Sequence, residues 1–236
     1  MNPEGSPGRI FEHLEELRAR VIQSLVFFII ACFFVYPYAG FVLGCVIKPI
    51  GVVVFTSPAE GLLAHINITL YLAFFISLPF FLFEAWQFVG AGLKPRERRY
   101  GILFLFLSCG LFITGAVFAY FLVVPMVLKF LLGFSSNRLM PMIAVGPYVS
   151  FAGTIALVFG LSFELPLLIV FLTKAGIVTP QFLSEKRKYA IVLIFIISAI
   201  LTPPDCLSQI LMAVPLVVLY EIGAVLSKLA SGQGKK

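Results

Sequence analysis

Some of the acidic residues in this chain lie where a carboxylate is costly to keep. Glu84, Glu164 and Glu221 fall inside or at the edge of long apolar stretches. A carboxylate at the centre of a membrane helix costs about 2.5–3.5 kcal/mol, so it normally faces a partner or a wet cavity. Glu164 lies deepest, and the nearby Pro166 predicts a local kink because proline has no N–H to donate. Glu164 is thus either functional or a structural hydrogen-bond partner, whereas Glu84 and Glu221 fit charged groups at the membrane boundary.

A second set of carboxylates lies among basic residues outside the apolar stretches. Glu15 and Glu16 precede Arg18, and Glu97 is the single carboxylate in the basic segment 94–99. Composition favours solvated, positively charged segments at both places. A binding role remains the second interpretation of each.

Signatures of catalysis and of metal binding are missing from the sequence. It contains no Walker A loop, no H-E-x-x-H and no G-x-S-x-G. The four cysteines are scattered and include no C-x-x-C pair, which argues against a disulfide framework or a metal site. We therefore predict a protein that is not an enzyme and that binds no cofactor and no metal.

The composition indicates a lipid bilayer as the surroundings of the chain. Of its 236 residues, 61% are hydrophobic and 12% are charged, and the mean hydropathy is +1.07. Soluble domains carry about twice that charged fraction, so a soluble globule and a disordered chain are excluded. The net charge of +6 does not indicate nucleic-acid binding, because the basic residues form short clusters between apolar runs.

Six stretches without Asp, Glu, Lys or Arg define the organisation: 21–47, 61–83, 100–128, 139–163, 189–204 and 206–220. Spanning the hydrocarbon takes roughly 20 helical residues, so the first four are long enough. The last two are shorter, and they require a thinned bilayer or a helix that continues past Glu221. Pro203 and Pro204 predict a tight turn between them, with Asp205 as a helix N-cap. We predict an all-α polytopic membrane protein with six transmembrane helices, forming a single transmembrane domain over 1–236.

The distribution of lysine and arginine predicts the orientation. The N-terminal segment, the second and fourth connections and the tail carry three, four, four and three of the 17 basic residues, and the opposite side carries three. This bias places both termini in the cytoplasm. Segment 1–20 is then a cytoplasmic amphipathic segment whose helix starts near Ser6 and Pro7, and 227–236 is a cytoplasmic tail.

Four motifs occur in order along the chain: HLEELR at 13–18, Phe88 followed by ERR at 97–99, FELP at 163–166 and LTPPDCLSQ at 201–209. With them the chain resembles the TatC family, the membrane receptor and core subunit of the twin-arginine protein translocase. The likeness covers nearly the whole chain. It implies a protein transport function in the inner (plasma) membrane of a prokaryote or in the thylakoid membrane, energised by the proton-motive force.

The resemblance implies binding of the signal peptides of folded precursor proteins, which bear two adjacent arginines. By position, Glu16 and Glu97 resemble the carboxylates that receive this pair, Arg18 a residue that orients the neighbouring acid, and Phe88 an aromatic that packs the apolar part of the signal. A carboxylate binds a planar guanidinium through two hydrogen bonds, which lysine cannot reproduce.

The resemblance also implies partners within the membrane. Glu164 resembles a carboxylate on the hollow side of a concave, glove-like helix array, where it meets single-span partners of the TatA and TatB type or lines a wet path for cargo. Packing along the last two spans is then expected to supply most of the partner contact. Asp205 and Gln209 fit a helix cap or a role in assembly, and self-association is expected.

One position departs from the family pattern, because Glu84 stands where the family often has a neutral polar residue. It fits either a simple variant or an extension of the acidic surface near Phe88. The alternative function is a proton-coupled secondary transporter that uses Glu164 as its ion site. Carriers of that kind usually contain two repeated halves, and no repeat is visible in this sequence.

Overall fold

A computed structural model describes residues 7–90, 101–133, 141–202 and 206–232. Within these ranges the chain is helical, and its only β-type pairing is an isolated parallel bridge between Val54 and Ala144. The all-α prediction is confirmed for this part of the chain. The helices are α1 (Pro7–Val35), α2 (Ala39–Ile47), α3 (Glu60–Gly90), α4 (Gly101–Phe118), α5 (Val124–Leu132), α6 (Val145–Phe163), α7 (Leu165–Lys174), α8 (Pro180–Leu201) and α9 (Cys206–Gly232).

Five stretches among these residues are long and apolar enough to cross a membrane: Leu14–Ile47, Glu60–Phe88, Gly101–Leu132, Val145–Lys174 and Cys206–Gly232. Helix α8 differs because Glu185, Lys186, Arg187 and Lys188 lie in its first half. Its remaining apolar part, 189–201, is about 20 Å long at 1.5 Å per residue. A sixth span at α8 therefore stays a prediction.

One predicted helix limit changes in the structure, and the end of the last helix is decided between two alternatives. The first apolar stretch is not one helix, because a 3-10 turn at Tyr36–Tyr38, which contains Pro37, separates α1 from α2. The last helix does not end at the first charge, since α9 continues through Glu221 to Gly232 over 27 residues. The continuing helix, one of the two explanations for the short last stretch, is therefore present.

The chain packs as two compact units, Met1–Pro49 with Leu62–Cys109, and Ile50–Gly61 with Gly110–Lys236. In the first unit, aromatic pairs join α1 and the 3-10 turn that follows it to α3. Phe27 stacks on Phe80 with ring centroids 4.5 Å apart, and Tyr36 meets the edge of His65 at 5.3 Å. Such pairs add about 0.5–1.5 kcal/mol beyond the area that they bury.

In the second unit, α9 lies close to α7 at small side chains. A Cβ atom at Gly223 would lie 2.7 Å from Ile169 Cδ1 and 3.2 Å from Pro166 Cα, so only glycine fits there without displacement. The hydroxyls of Thr173 and Ser227 lie 2.8 Å apart across the same contact. Small residues at helix contacts are typical of membranes, where close packing and interhelical hydrogen bonds replace the hydrophobic driving force.

A buried carboxylate holds the segment before α3 against the start of α6. Glu60 is only 6% exposed. Its Oε1 accepts a hydrogen bond from the Gly146 N–H at 2.8 Å, and its Oε2 accepts from the Thr56 N–H at 2.5 Å and from Thr56 Oγ1 at 2.6 Å. The bridge at Val54 extends this contact, because Val54 N–H donates to the Ile143 carbonyl. Charge-assisted bonds of this kind are roughly twice as strong as neutral ones.

We expect Glu60→Gln to lower the thermal unfolding midpoint by a few degrees. One side-chain oxygen becomes an NH₂ group, which would face a hydrogen-bond donor instead of accepting from it. The measurement is tryptophan fluorescence during heating of the purified protein in detergent. The matched control is Glu185→Gln on the exposed face of α8, and equal midpoints for the two variants would contradict the assignment.

We expect Gly223→Ala to lower the same midpoint, because a methyl group in a filled contact costs about 1–3 kcal/mol. The control is Gly110→Ala, since a Cβ atom at this helical glycine would meet nothing within 4 Å. Adding Ile169→Val removes the nearest atom and is expected to restore part of the loss. A Gly223→Ala protein as stable as Gly110→Ala would show that the helices do not approach this closely.

Candidate functional site

Four polar residues of α1 and α3 form a hydrogen-bonded cluster around Arg20. The Arg20 guanidinium donates from Nη2 and Nε to Glu16 Oε1, at 2.6 and 3.2 Å. Its Nη1 donates to Glu84 Oε2 at 2.9 Å and to Gln87 Oε1 at 3.1 Å. We call Glu16, Arg20, Glu84 and Gln87 the Arg20 cluster. It joins residues 64 positions apart and places two carboxylates on one cation.

Local sequence explains how each helix contributes to the cluster. Glu16 and Arg20 are four residues apart on α1, and Glu84 and Gln87 are three residues apart on α3, so each pair shares one helix face. Exposure differs within the cluster, because the Glu16 side chain is 38% exposed while that of Glu84 is 10% exposed. The Glu16 carboxylate is therefore accessible to a ligand, whereas the Glu84 carboxylate is buried and bonds to Arg20.

This arrangement revises the interpretation of Glu84. A charged group that simply reaches the membrane boundary would extend into water, whereas Glu84 is buried and bonded to Arg20. The physical reason is that an ion pair within the protein compensates the charge without requiring water. Sequence reasoning missed Arg20 and Gln87, although the four-residue spacing from Glu16 to Arg20 is a readable signal for the first of them.

The other residues predicted for signal binding are placed as follows. Arg18 is exposed on α1, and the cation that bonds to Glu16 in the cluster is Arg20. Phe88 is half-buried, one turn after Glu84 on α3. Glu97 lies outside the described residues. The orienting role of Arg18 and the binding roles of Glu16, Glu97 and Phe88 stay predictions.

Glu164 lies at a break between two helices. Helix α6 ends at Phe163 and α7 begins at Leu165, with Pro166 in its first turn. The Glu164 N–H donates to the Leu161 carbonyl at 3.1 Å, and the Glu164 carbonyl accepts from Leu168 N–H at 2.9 Å. The expected interruption near Pro166 is present, and carboxylate atom Oε1 is buried. The break thus holds a carboxylate inside an apolar stretch.

The last two helices carry a polar contact between two residues that line an apolar groove. Gln209 of α9 donates from Nε2 to the Phe195 carbonyl of α8 at 3.0 Å. The groove, about 400 Å³ in volume, is lined by Ile191, Val192, Phe195, Ile196, Ala199, Ile200 and Gln209. Asp205 lies outside the described residues, so its predicted cap is not placed.

Glu221 is paired rather than merely placed at the membrane boundary. Its Oε1 lies 2.6 Å from Nε of Arg187 on α8. On the preceding residue, the Tyr220 hydroxyl donates to the Leu183 carbonyl at 2.7 Å. These contacts join the N-terminal part of α8 to α9 and explain why α9 continues through a charged residue.

In the part of the chain that the structure describes, the acidic groups do not combine with other ligands into a metal site. Among the described residues, no three His, Cys, Asp or Glu side chains lie close enough together to hold a metal ion. The described sites can bind positively charged or hydrogen-bonding groups. The accessible carboxylate is Glu16 in the Arg20 cluster, and the buried one is Glu164 at the break between α6 and α7.

Comparisons with known proteins agree on one family. The family model of the Sec-independent protein translocase protein TatC matches residues 12–215. A TatC protein of Aquifex aeolicus is 40% identical over 233 residues, covering 95% of this chain and 97% of that protein. A TatC protein of Carboxydothermus hydrogenoformans is 38% identical over 230 residues, covering 95% of each chain.

A solved structure gives the same result. A crystal structure of the twin arginine translocase receptor TatC is similar with a TM-score of 0.87 and 40% identity, covering 93% of this chain and 99% of that one. A match of this length in both sequence and structure places the protein among multi-pass membrane components of protein transport. This chain belongs to the TatC family of Sec-independent protein translocase proteins.

Proposed function

We propose that this translocase subunit is the receptor for signal peptides with two adjacent arginines on folded precursor proteins. The observation that carries the proposal is Glu16, a half-buried carboxylate near the start of the first apolar stretch that already accepts two hydrogen bonds from a guanidinium. A ligand arginine would use the same chemistry. The related protein of solved structure is named a twin arginine translocase receptor.

The second carboxylate of the receptor site is Glu97, by position in the family motif. Two arginines in a row need two acceptors, and a single exposed pair is worth only about 0.2–1 kcal/mol. Charge-assisted bonds that are partly shielded from water are worth about 1.5–3 kcal/mol each. Phe88 supplies an apolar surface near this site for the hydrophobic part of the signal. The site lies on the cytoplasmic side of the membrane, as do both termini of the chain.

Partners of the TatA and TatB type dock within the membrane, at the break that holds Glu164 and along α8 and α9. The exposed apolar side chains of α8 and the groove beside Gln209 provide packing area for a single-span helix. Polar contacts between membrane helices average under about 1 kcal/mol, so packing supplies most of this affinity. Glu164 adds orientation, because a partner must present a polar group to it.

We expect Glu16→Gln and Glu97→Gln each to weaken binding of an Arg-Arg signal peptide by about tenfold or more, because the charge-assisted bonds are lost. The measurement is site-specific crosslinking and fluorescence anisotropy of a labelled peptide with the protein in nanodiscs. The Lys-Lys version of the peptide is expected to bind weakly to every variant.

The control for this test is Glu185→Gln, which removes an exposed carboxylate of α8 and is expected to bind like the parent protein. Equal affinity of the Arg-Arg and Lys-Lys peptides for the parent protein would contradict the receptor function. Full affinity in Glu16→Gln or Glu97→Gln would remove that residue from the site.

We expect Glu164→Ala to leave signal-peptide affinity unchanged while export of a folded precursor or assembly with the single-span partners falls. The reason is that Glu164 serves contacts inside the membrane and not the peptide site. Export in cells and co-purification of partners are the readouts. The matched control is Ser162→Ala, since that hydroxyl bonds to the Val158 carbonyl of its own helix. Export and assembly at the parent level in Glu164→Ala would assign Glu164 a structural role.

A further inference from the structure

The Arg20 guanidinium is shared between Glu16 on α1 and two acceptors on α3, of which Glu84 is buried and Gln87 is exposed. Both of its bonds to Glu16 end on the same oxygen, Oε1, so this pair is not the two-oxygen fork that gives the strongest arginine–carboxylate contact. Its remaining nitrogen, Nη1, is directed at α3, where it bonds to both Glu84 and Gln87. Arg20 therefore has partners on α3 that do not depend on Glu16.

Of the two carboxylates that bond to Arg20, only Glu16 is exposed enough to exchange Arg20 for a ligand. A ligand from water can reach Glu16, whose side chain is 38% exposed, but not Glu84, whose side chain is 10% exposed. Breaking a buried ion pair is costly when it leaves a charge uncompensated. If a ligand takes Glu16, Arg20 keeps Glu84 and Gln87, so neither buried charge loses its compensation.

Glu84 supplies the charge that Arg20 needs after such an exchange. A neutral residue at position 84 would leave the Arg20 guanidinium without a carboxylate on α3 once a ligand takes Glu16. Binding of the guest guanidinium then depends on Glu84, although the guest never touches it.

We propose that Arg20 is a resident guanidinium of the peptide site, which releases Glu16 to an arginine of the incoming signal and is then held on α3 by Glu84 and Gln87. This inference rests on the proposed receptor function. Arg20 and Glu84 are positioning residues, because they act on the signal through Glu16. Their exchange makes binding of the signal a competition between two guanidinium groups for one carboxylate.

The competition predicts affinity changes of opposite sign in two variants. The double variant Arg20→Gln/Glu84→Gln keeps the net charge of the cluster and removes the competitor, so the Arg-Arg peptide is expected to bind about three- to tenfold more tightly. The single variant Glu84→Gln leaves Arg20 in place and removes its charged partner on α3. Arg20 then stays on Glu16, and peptide affinity is expected to fall by a similar factor.

The measurement is fluorescence anisotropy of a labelled Arg-Arg peptide with the full-length protein in nanodiscs, alongside the Lys-Lys peptide. The control is Arg187→Gln/Glu221→Gln, which removes an ion pair of the other unit and is expected to leave affinity unchanged. Unfolding midpoints of all variants exclude a general loss of fold. A merely structural Arg20 cluster predicts weaker binding in both test variants.

Two failures can be told apart. If Glu16→Gln weakens peptide binding but Arg20→Gln/Glu84→Gln binds at or below the parent level, the exchange is wrong and the receptor function stands. If the parent protein does not distinguish Arg-Arg from Lys-Lys peptides, or Glu16→Gln binds fully, the proposed function fails first. Tighter binding in the double variant together with weaker binding in Glu84→Gln supports the exchange.

Discussion

A charge that leaves water in this protein must find a partner inside the protein, and this constraint governs where the polar residues lie. Placing a charge in the membrane costs several kcal/mol unless a partner or water compensates it. Glu84 meets Arg20, and Glu221 meets Arg187. In both pairs the partners come from different helices. Electrostatic compensation therefore also holds helices together, in a solvent that gives apolar faces little reason to associate.

Proline and glycine decide where the helices bend and where they touch. Proline interrupts the first apolar stretch at Pro37, and Pro166 follows the break that holds Glu164. Glycine acts at the contacts, because Gly223 brings α9 against Pro166 and Ile169. Two backbone features thus determine the position of the Glu164 carboxylate. Pro166 in its own segment lacks an N–H, and Gly223 on the neighbouring helix lacks a side chain.

Much of the fold can be predicted from apolar runs, whereas the pairing of side chains cannot. Charge-free runs locate the helices because lipid excludes ionised groups from all but compensated positions. The same rule alone does not give the end of α9, since Glu221 is paired with Arg187 and the helix continues past it. For the candidate site, the four-residue spacing of Glu16 and Arg20 is local and readable. The bond from Arg20 to Glu84 depends on tertiary packing of α1 on α3 and is invisible in one sequence.

The short apolar part of α8 has a consequence for the surrounding lipid if α8 is the predicted sixth span. A span about 20 Å long would meet a hydrocarbon layer of about 30 Å, and each ångström of such hydrophobic mismatch costs a fraction of a kcal/mol in bilayer deformation. The annular lipids beside such a span would be elastically strained. A protein that displaces them would release that strain, so a neighbour with an equally short apolar span would gain affinity at α8 without forming a single additional polar bond.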